Sequence, residues 1–313
     1  MLRYLVLDSI KYRSPGLGWL RFWQLLHDRT NGALNEAYVR LSRLWRPALP
    51  APQSAMLPTV ARAETVAHLK RDGYAVLPVQ LPAADIAALR QFAFSTPAYS
   101  DDFDKAVLIP EDNIPTDVPI FVWRMADMAA NPTIQDIVLN GPFWAIAQDY
   151  LGCRPTLSTM SLWLNTSFKG ENGQFVYHYD NDGPKFLKFF IYLTDVEIGT
   201  GAHYFIKGTQ HPQKPPQFAR SKRYGEQELL DHYGHANECV AAGPAGTILA
   251  EDTMGFHRGS TITHGYRMLL QLQYSVVDIK TKEDLARSYA PVAVPGLDAG
   301  VARVHSKFWR TPS

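Results

Sequence analysis

On an extended chain, His178 and Asp180 would present an imidazole and a carboxylate to the same side, because successive side chains of a strand alternate between faces. Alone, a His-x-Asp triplet is a common coincidence. His257 changes its weight. It stands 77 residues beyond Asp180, after an apolar run that ends in Glu251-Asp252 and a Thr-Met-Gly-Phe turn. Two histidines and one carboxylate make a ligand set that leaves a face of a metal ion open. Mixed nitrogen and hard oxygen donors suit Fe(II), and the open positions suit a chelating co-substrate followed by O2. Taken singly, His257 would read as a hydrogen-bonded turn histidine.

Arg267, ten residues further on, begins an alternating run. Arg267, Leu269, Gln271 and Gln273 share one face, and Met268, Leu270, Leu272 and Tyr274 share the other. A surface salt bridge would satisfy this arginine. Facing inward, it would need a buried partner, and a bidentate carboxylate fits a guanidinium best. The carboxylate of 2-oxoglutarate would serve, in the same lumen as the three ligands.

The elements that must position these groups lie in the second half of the chain. Beyond residue 155 the apolar period is two, and six strands are expected: Leu157–Asn165, Gln174–Tyr179, Phe186–Val196, His203–Ile206, Thr247–Glu251 and Tyr266–Val277. Within 187–194, Leu187, Phe189, Ile191 and Leu193 oppose Lys188, Phe190, Tyr192 and Thr194. The front half is helical. Residues 1–46 read as a hairpin appendage, with Ser14-Pro15 at its start, then Trp19, Phe22, Trp23 and Leu26 at helical spacing. Leu34, Tyr38, Leu41 and Trp45 follow past Asn31-Gly32. Prolines 47, 50, 52 and 58 mark a linker over 47–59. The main domain spans 60–313, with helices over Glu64–Arg71, Pro82–Phe92 and 133–151, a strand at Tyr74–Val79 and an irregular stretch at 97–120. Residues 212–240 read as a partly helical insertion near a barrel mouth. The expected class is α+β: an antiparallel barrel flanked by helices.

Several motifs occur together in a recognisable order. His178-Tyr179-Asp180, the run from Phe189 to Val196, Gly201-Ala202-His203, Lys207 to His211, and His257-Arg258-Gly259 with Arg267 together resemble the phytanoyl-CoA dioxygenase family over roughly residues 65–280. The resemblance implies a double-stranded β-helix (jelly-roll, cupin-like) core. It also implies Fe(II), 2-oxoglutarate and O2, and hydroxylation of an unactivated carbon with release of succinate and CO2. By motif position it makes His178, Asp180 and His257 the iron ligands, with Arg267 clamping the distal carboxylate of 2-oxoglutarate. Relatives often carry a hydroxyl two residues after the distal histidine, where Gly259 stands here, so Ser260 or Tyr192 is expected to assist Arg267. Halogenating relatives replace the carboxylate ligand with a small residue; Asp180 therefore favours hydroxylation or desaturation.

Other residues carry plainer readings. His203 and His211, in the family's GPH…GSH positions, read as structural residues near the barrel rim. Asp101, Asp102 and Asp104 read as a solvated loop, and Asn165-Thr166-Ser167 as a sequon without meaning in an unsecreted chain. Trp123 and Arg124 either line a pocket or pack. The 313 residues, 46% apolar and 19% charged with net charge +1, give no pull towards nucleic acid. Two cysteines build neither a disulfide framework nor a thiolate cluster, and a reduced cytoplasmic chain is expected. No apolar run is long enough to span a bilayer. Residues 1–46 carry +5 against −4 for the remainder. Their apolar stripe is expected to pack on the main domain or in a homodimer, with membrane-surface contact as the lesser reading. Two other functions use the same residues: a cupin-type metal-dependent isomerase or hydrolase, against which Arg267 speaks, and a non-catalytic barrel binding a small molecule, against which the intact triad speaks.

Overall fold

The computed structural model describes residues 17–50, 54–100, 105–170, 175–220, 222–278 and 290–312. Ser14, Pro15, Asp101, Asp102, Asp104 and the side chain of Trp19 lie outside the described residues. The N-terminal hairpin comprises α1 (Leu17–Thr30) and α2 (Ala33–Ser42). Between them Asn31 and Gly32 both take positive φ, 47° and 76°, which no continuing helix tolerates. Next come α3 (Thr59–Asp72), β1 (Tyr74–Gln80), α4 (Ala83–Ser95), β2 (Ala98–Ser100), β3 (Ala106–Val107) and β4 (Ile120–Val122). As expected, Gly73 ends α3 in the left-handed region, its N–H bonded to Leu69 O. The single helix expected over 133–151 is two, α6 (Pro132–Asn140) and α7 (Phe143–Leu151), preceded by α5 (Met125–Ala130), because Gly141-Pro142 cannot carry the helical hydrogen bonds through.

The second half holds β5 (Thr156–Thr166), β6 (Phe186–Tyr192), β7 (His203–Ile206), α8 (Glu226–Tyr233), β8 (Glu238–Ala241), β9 (Thr247–Glu251), β10 (His257–Gly259) and β11 (Tyr266–Ser275). At the C-terminal end, β12 (Val292–Ala293) and β13 (Trp309–Arg310) flank α9 (Ala299–Val304). The large sheet runs β1-β9-β6-β11-β5-β4-β2-β3 with antiparallel pairing throughout, and a small sheet runs β10-β7-β8. One expected strand is absent: residues 175–179 make only isolated bridges, Tyr177 with Tyr224 and His178 with His257. Two pieces of sheet lie in the stretch expected to be irregular, at β2 and β3.

Alternation on β6 and β11 sorts their side chains as the pattern predicts. Leu187, Phe189 and Ile191 join Met268, Leu270, Leu272 and Tyr274 in the main core, against Val66 and Leu69 of α3, Leu89 of α4 and the buried faces of α6 and α7. Each such side chain contributes roughly 2 kcal/mol on burial. Lys188, Phe190, Arg267, Leu269 and Gln271 project from the other face into a cavity. This core fixes which residues can meet there.

The hairpin lies directly on the rest of the molecule, with Trp23, His27, Asn35 and Ser42 buried. Among the described residues of 212–240, none lines the cavity. Phe218, Tyr224, Leu229 and Leu230 pack instead on Tyr177, Tyr179 and Phe256, the neighbours of the candidate ligands. Both cysteines are free thiols. No helix among the described residues is long and apolar enough to cross a membrane.

Candidate metal centre

His178, Asp180 and His257 converge, with one ligand atom of each lying within 4.8 Å of the others. Nε2 of His178 is 3.8 Å from Asp180 Oδ1, and Nε2 of His257 is 3.6 Å from Asp180 Oδ2. The main chain brings them together. His178 and His257 exchange both N–H···O bonds at 3.0 and 2.9 Å, and Asp180 N donates to Thr253 O at 2.7 Å. Each imidazole is oriented by the same device: Nδ1 lies 2.9 Å from the carbonyl oxygen two residues earlier, Val176 for His178 and Gly255 for His257. A carbonyl only accepts, so Nδ1 carries the proton and the Nε2 lone pair faces the cluster.

Electrostatics hold His257 and Asp180 in the form a metal needs. Burial lowers the pKa of His257 to about 3, with Asp180 opposing, so the ring is neutral at physiological pH. Burial opposes ionisation of Asp180, but Lys188 and the two imidazoles outweigh it and hold the carboxyl well below its usual range. Lys188 Nζ lies 2.6 Å from Asp180 Oδ2 and 3.0 Å from Asp182 Oδ2. Burial alone would discharge this lysine; the two carboxylates raise its pKa above the ordinary value.

The cavity, about 130 Å³, takes walls from both sheets: Trp163, Lys188, Phe190, Arg267, Leu269 and Gln271 from the large one, and His203, His257 and Gly259 from the small one. Arg267 is buried and lines it. Its Nε and Nη2 donate to Asn165 Oδ1 at 3.3 and 3.0 Å, and Nη1 donates to Gly201 O. Among the described residues no carboxylate lies within ion-pairing distance of it. Burial without a counter-charge lowers its pKa. Such an arginine is costly unless an anion joins it.

The two expected helpers of Arg267 are engaged elsewhere. Tyr192 Oη donates to Ala241 O and Ser260 Oγ to Ile198 O, each at 2.8 Å, and neither residue lines the cavity. Asn165, met first as the start of a sequon, is the residue hydrogen-bonded to the guanidinium; β5 and β11 pair Asn165 directly with Arg267. That cross-strand partnership was readable only with the strand register. His203 is more than a rim residue: it lines the cavity, its ring centroid 5.4 Å from that of His257, and its Nε2 is 3.4 Å from Glu251 Oε1. Glu251 is wholly buried, and burial followed by the nearby Asp180 charge raises its pKa well above normal. Trp123 packs in the main core, donating its indole N–H to Ala93 O and Thr96 O. A larger cavity of about 620 Å³, between Leu57, Asn140, Trp144 and Val301, has no histidine in its wall.

No family model matches the sequence, and no curated protein matches it. Solved structures do. SnoK, a non-haem α-ketoglutarate-dependent carbocyclase from nogalamycin biosynthesis, matches over 72% of this chain and 86% of its own, with 16% identity and a TM-score of 0.50. EctD from S. alaskensis, in its apo form, matches over 74% of this chain and 83% of its own, at 20% identity and a TM-score of 0.53. The same protein with bound Fe matches over the same shares at 20% identity and a TM-score of 0.50. The chain shares the fold of a non-haem α-ketoglutarate-dependent enzyme. At these identities the likeness is one of fold. The shared fold is the framework into which this chain sets His178, Asp180, His257 and Arg267.

Proposed function

We propose that this protein is an Fe(II)- and 2-oxoglutarate-dependent dioxygenase that hydroxylates an unactivated carbon of a small organic or lipid-like substrate. Its two sheets are read as a double-stranded β-helix of the phytanoyl-CoA dioxygenase type. The observation that carries the reading is the pairing, within one cavity, of two Nε2 atoms and a carboxylate with a buried guanidinium that has no carboxylate partner among the described residues. The donor chemistry fits the metal: both imidazoles offer a free Nε2, and Asp180 is ionised. The fold shared with an α-ketoglutarate-dependent carbocyclase and with an Fe-binding EctD supports the same pair of cofactors.

His178, Asp180 and His257 would hold the iron, and the carbonyls of Val176 and Gly255 keep the two rings turned towards it. Arg267 would receive the distal carboxylate of 2-oxoglutarate, with Asn165 Oδ1 and Gly201 O holding the guanidinium from behind. Trp163, Phe190 and Leu269 keep water away from that ion pair, which strengthens it. Lys188, fixed between Asp180 and Asp182, neutralises part of the local negative charge and directs Asp180. Bound iron with its co-substrate supplies O2 activation and hydrogen-atom abstraction.

Succinate release from 2-oxoglutarate under air with added Fe(II) measures this activity without knowledge of the substrate. Uncoupled turnover is expected in the native chain and is expected to vanish in His257→Ala. Undiminished, iron-dependent succinate release by His257→Ala would refute the assignment.

A further inference from the structure

The segment that carries His178 and Asp180 has little main-chain support of its own. Two isolated bridges and the single bond from Asp180 N to Thr253 O tie it to the barrel. Regular strands hold their side chains through a continuous ladder; this one must be held from outside. Tyr179, between the two ligand candidates, and Phe256, just before His257, turn their rings away from the cavity into a second core. Over both rings sits the buried ammonium of Lys214, 5.1 Å from the Tyr179 centroid and 5.6 Å from that of Phe256. Its Nζ donates to Thr209 O at 2.6 Å, to Met254 O at 2.8 Å and to His211 O. Three donated bonds use the three hydrogens of a charged lysine. Burial draws its pKa down to about 7, with the nearby Asp252 carboxylate acting in the opposite sense.

The main chain of the same lysine receives the N-terminal hairpin. Asn31 accepts from Lys214 N at 2.9 Å and donates to Lys214 O at 2.7 Å, a two-point match of side-chain amide to peptide. Beside it, Gly32 lies so near Pro212 that a Cβ would come within 2.6 Å. Gln24 Nε2 donates at 3.2 Å to the carbonyl of Asn181, the residue between Asp180 and Asp182. His27 places its ring centroid 5.7 Å from that of Tyr179.

We propose that the α1–α2 hairpin, pinned through Lys214, is a positioning element of the metal centre rather than an appendage: it holds residues 178–181 and the turn before His257 in ligating geometry from the outer side. The inference rests on the metal-binding reading above. Asn31→Gly removes both bonds to Lys214 while keeping the positive φ that the turn requires, and Lys214→Met removes the ammonium while keeping most of its bulk. Leu44→Ser, at a residue 80% exposed in the turn just after α2, is the control.

Anaerobic Co(II) titration of the 313-residue chain reads both affinity and ligand geometry through the visible spectrum. Both variants are expected to bind Co(II) about tenfold more weakly, as changes behind a ligand commonly do, with altered bands and unchanged far-UV circular dichroism. Leu44→Ser should match the native chain. If Lys214→Met does not fold, Asn31→Gly decides. Native affinity and spectrum in Asn31→Gly would overturn the inference and leave the proposed function standing. A native chain that takes up no Co(II) would remove both.

Discussion

At the scale of single residues, the site depends on how each polar group is satisfied. Arg267 donates from all three guanidinium nitrogens to Asn165 and Gly201, and in the proposed role the two N–H groups left over, one on each Nη, donate to an anion. Charge-assisted hydrogen bonds contribute about 1.5–3 kcal/mol each. Arg267→Met should therefore raise the KM for 2-oxoglutarate by roughly 10- to 100-fold in a succinate assay while leaving Fe(II) affinity near native. An unchanged KM would show that the co-substrate lies elsewhere. The residue types of the metal trio were legible because His-x-Asp and a distal histidine have few structural uses together. Asn165 and Lys188 were not, since a polar residue on a strand announces a buried role only when its partner across the sheet is known. For Lys188 the partners are Asp180 and Asp182, eight and six residues away around a turn.

Elements show where alternation informs and where it stops. In β6 and β11 a period of two separated the core-facing Leu187, Phe189, Ile191, Met268, Leu270 and Leu272 from the cavity-lining Lys188, Phe190, Arg267, Leu269 and Gln271, because both strands are paired on both sides. Segment 175–179 has the same alternation but no ladder, since its hydrogen bonds go to isolated partners. The insertion at 212–240 was expected at the barrel mouth; its apolar residues instead cover the outward rings of the ligand segments. The hairpin carries its own pH dependence. His27 is completely buried, and burial followed by the Lys214 charge lowers its pKa to about 4. An unfolded histidine takes a proton near pH 6.5, whereas the docked one refuses it until about pH 4, so acid favours the undocked state. Docking should be at full strength above pH 6.5 and weaken progressively towards pH 4, by roughly 3 kcal/mol at the limit. Limited proteolysis within residues 17–46 should accelerate over that window, and His27→Asn, which cannot titrate, should flatten the response. Equal acid sensitivity in His27→Asn would mean that another group controls the hairpin.

For the molecule as a whole, the fold is an economical frame for one small cavity. Helices cover one face of the large sheet and bury its apolar residues, and the small sheet closes over the other face with His203 and His257. The general class of this architecture was legible from the switch in apolar period near residue 155, a whole-chain feature. The order of the strands was not, because strands adjacent in space, such as β11 with β5, are distant in sequence and nothing local records that pairing. Strand order is nevertheless what sets Arg267 beside Asn165, while an isolated bridge sets His257 beside His178.

The central claim is that one cavity binds iron through His178, Asp180 and His257 and a 2-oxo acid through Arg267. Anaerobic titration with Fe(II) and then 2-oxoglutarate, followed in the visible region, reads both events at once. A weak charge-transfer band should grow only when metal and co-substrate are both present, saturate at one equivalent of iron, and be absent from His257→Ala. Stoichiometric iron uptake without that band, or the same band in His257→Ala, would contradict the account.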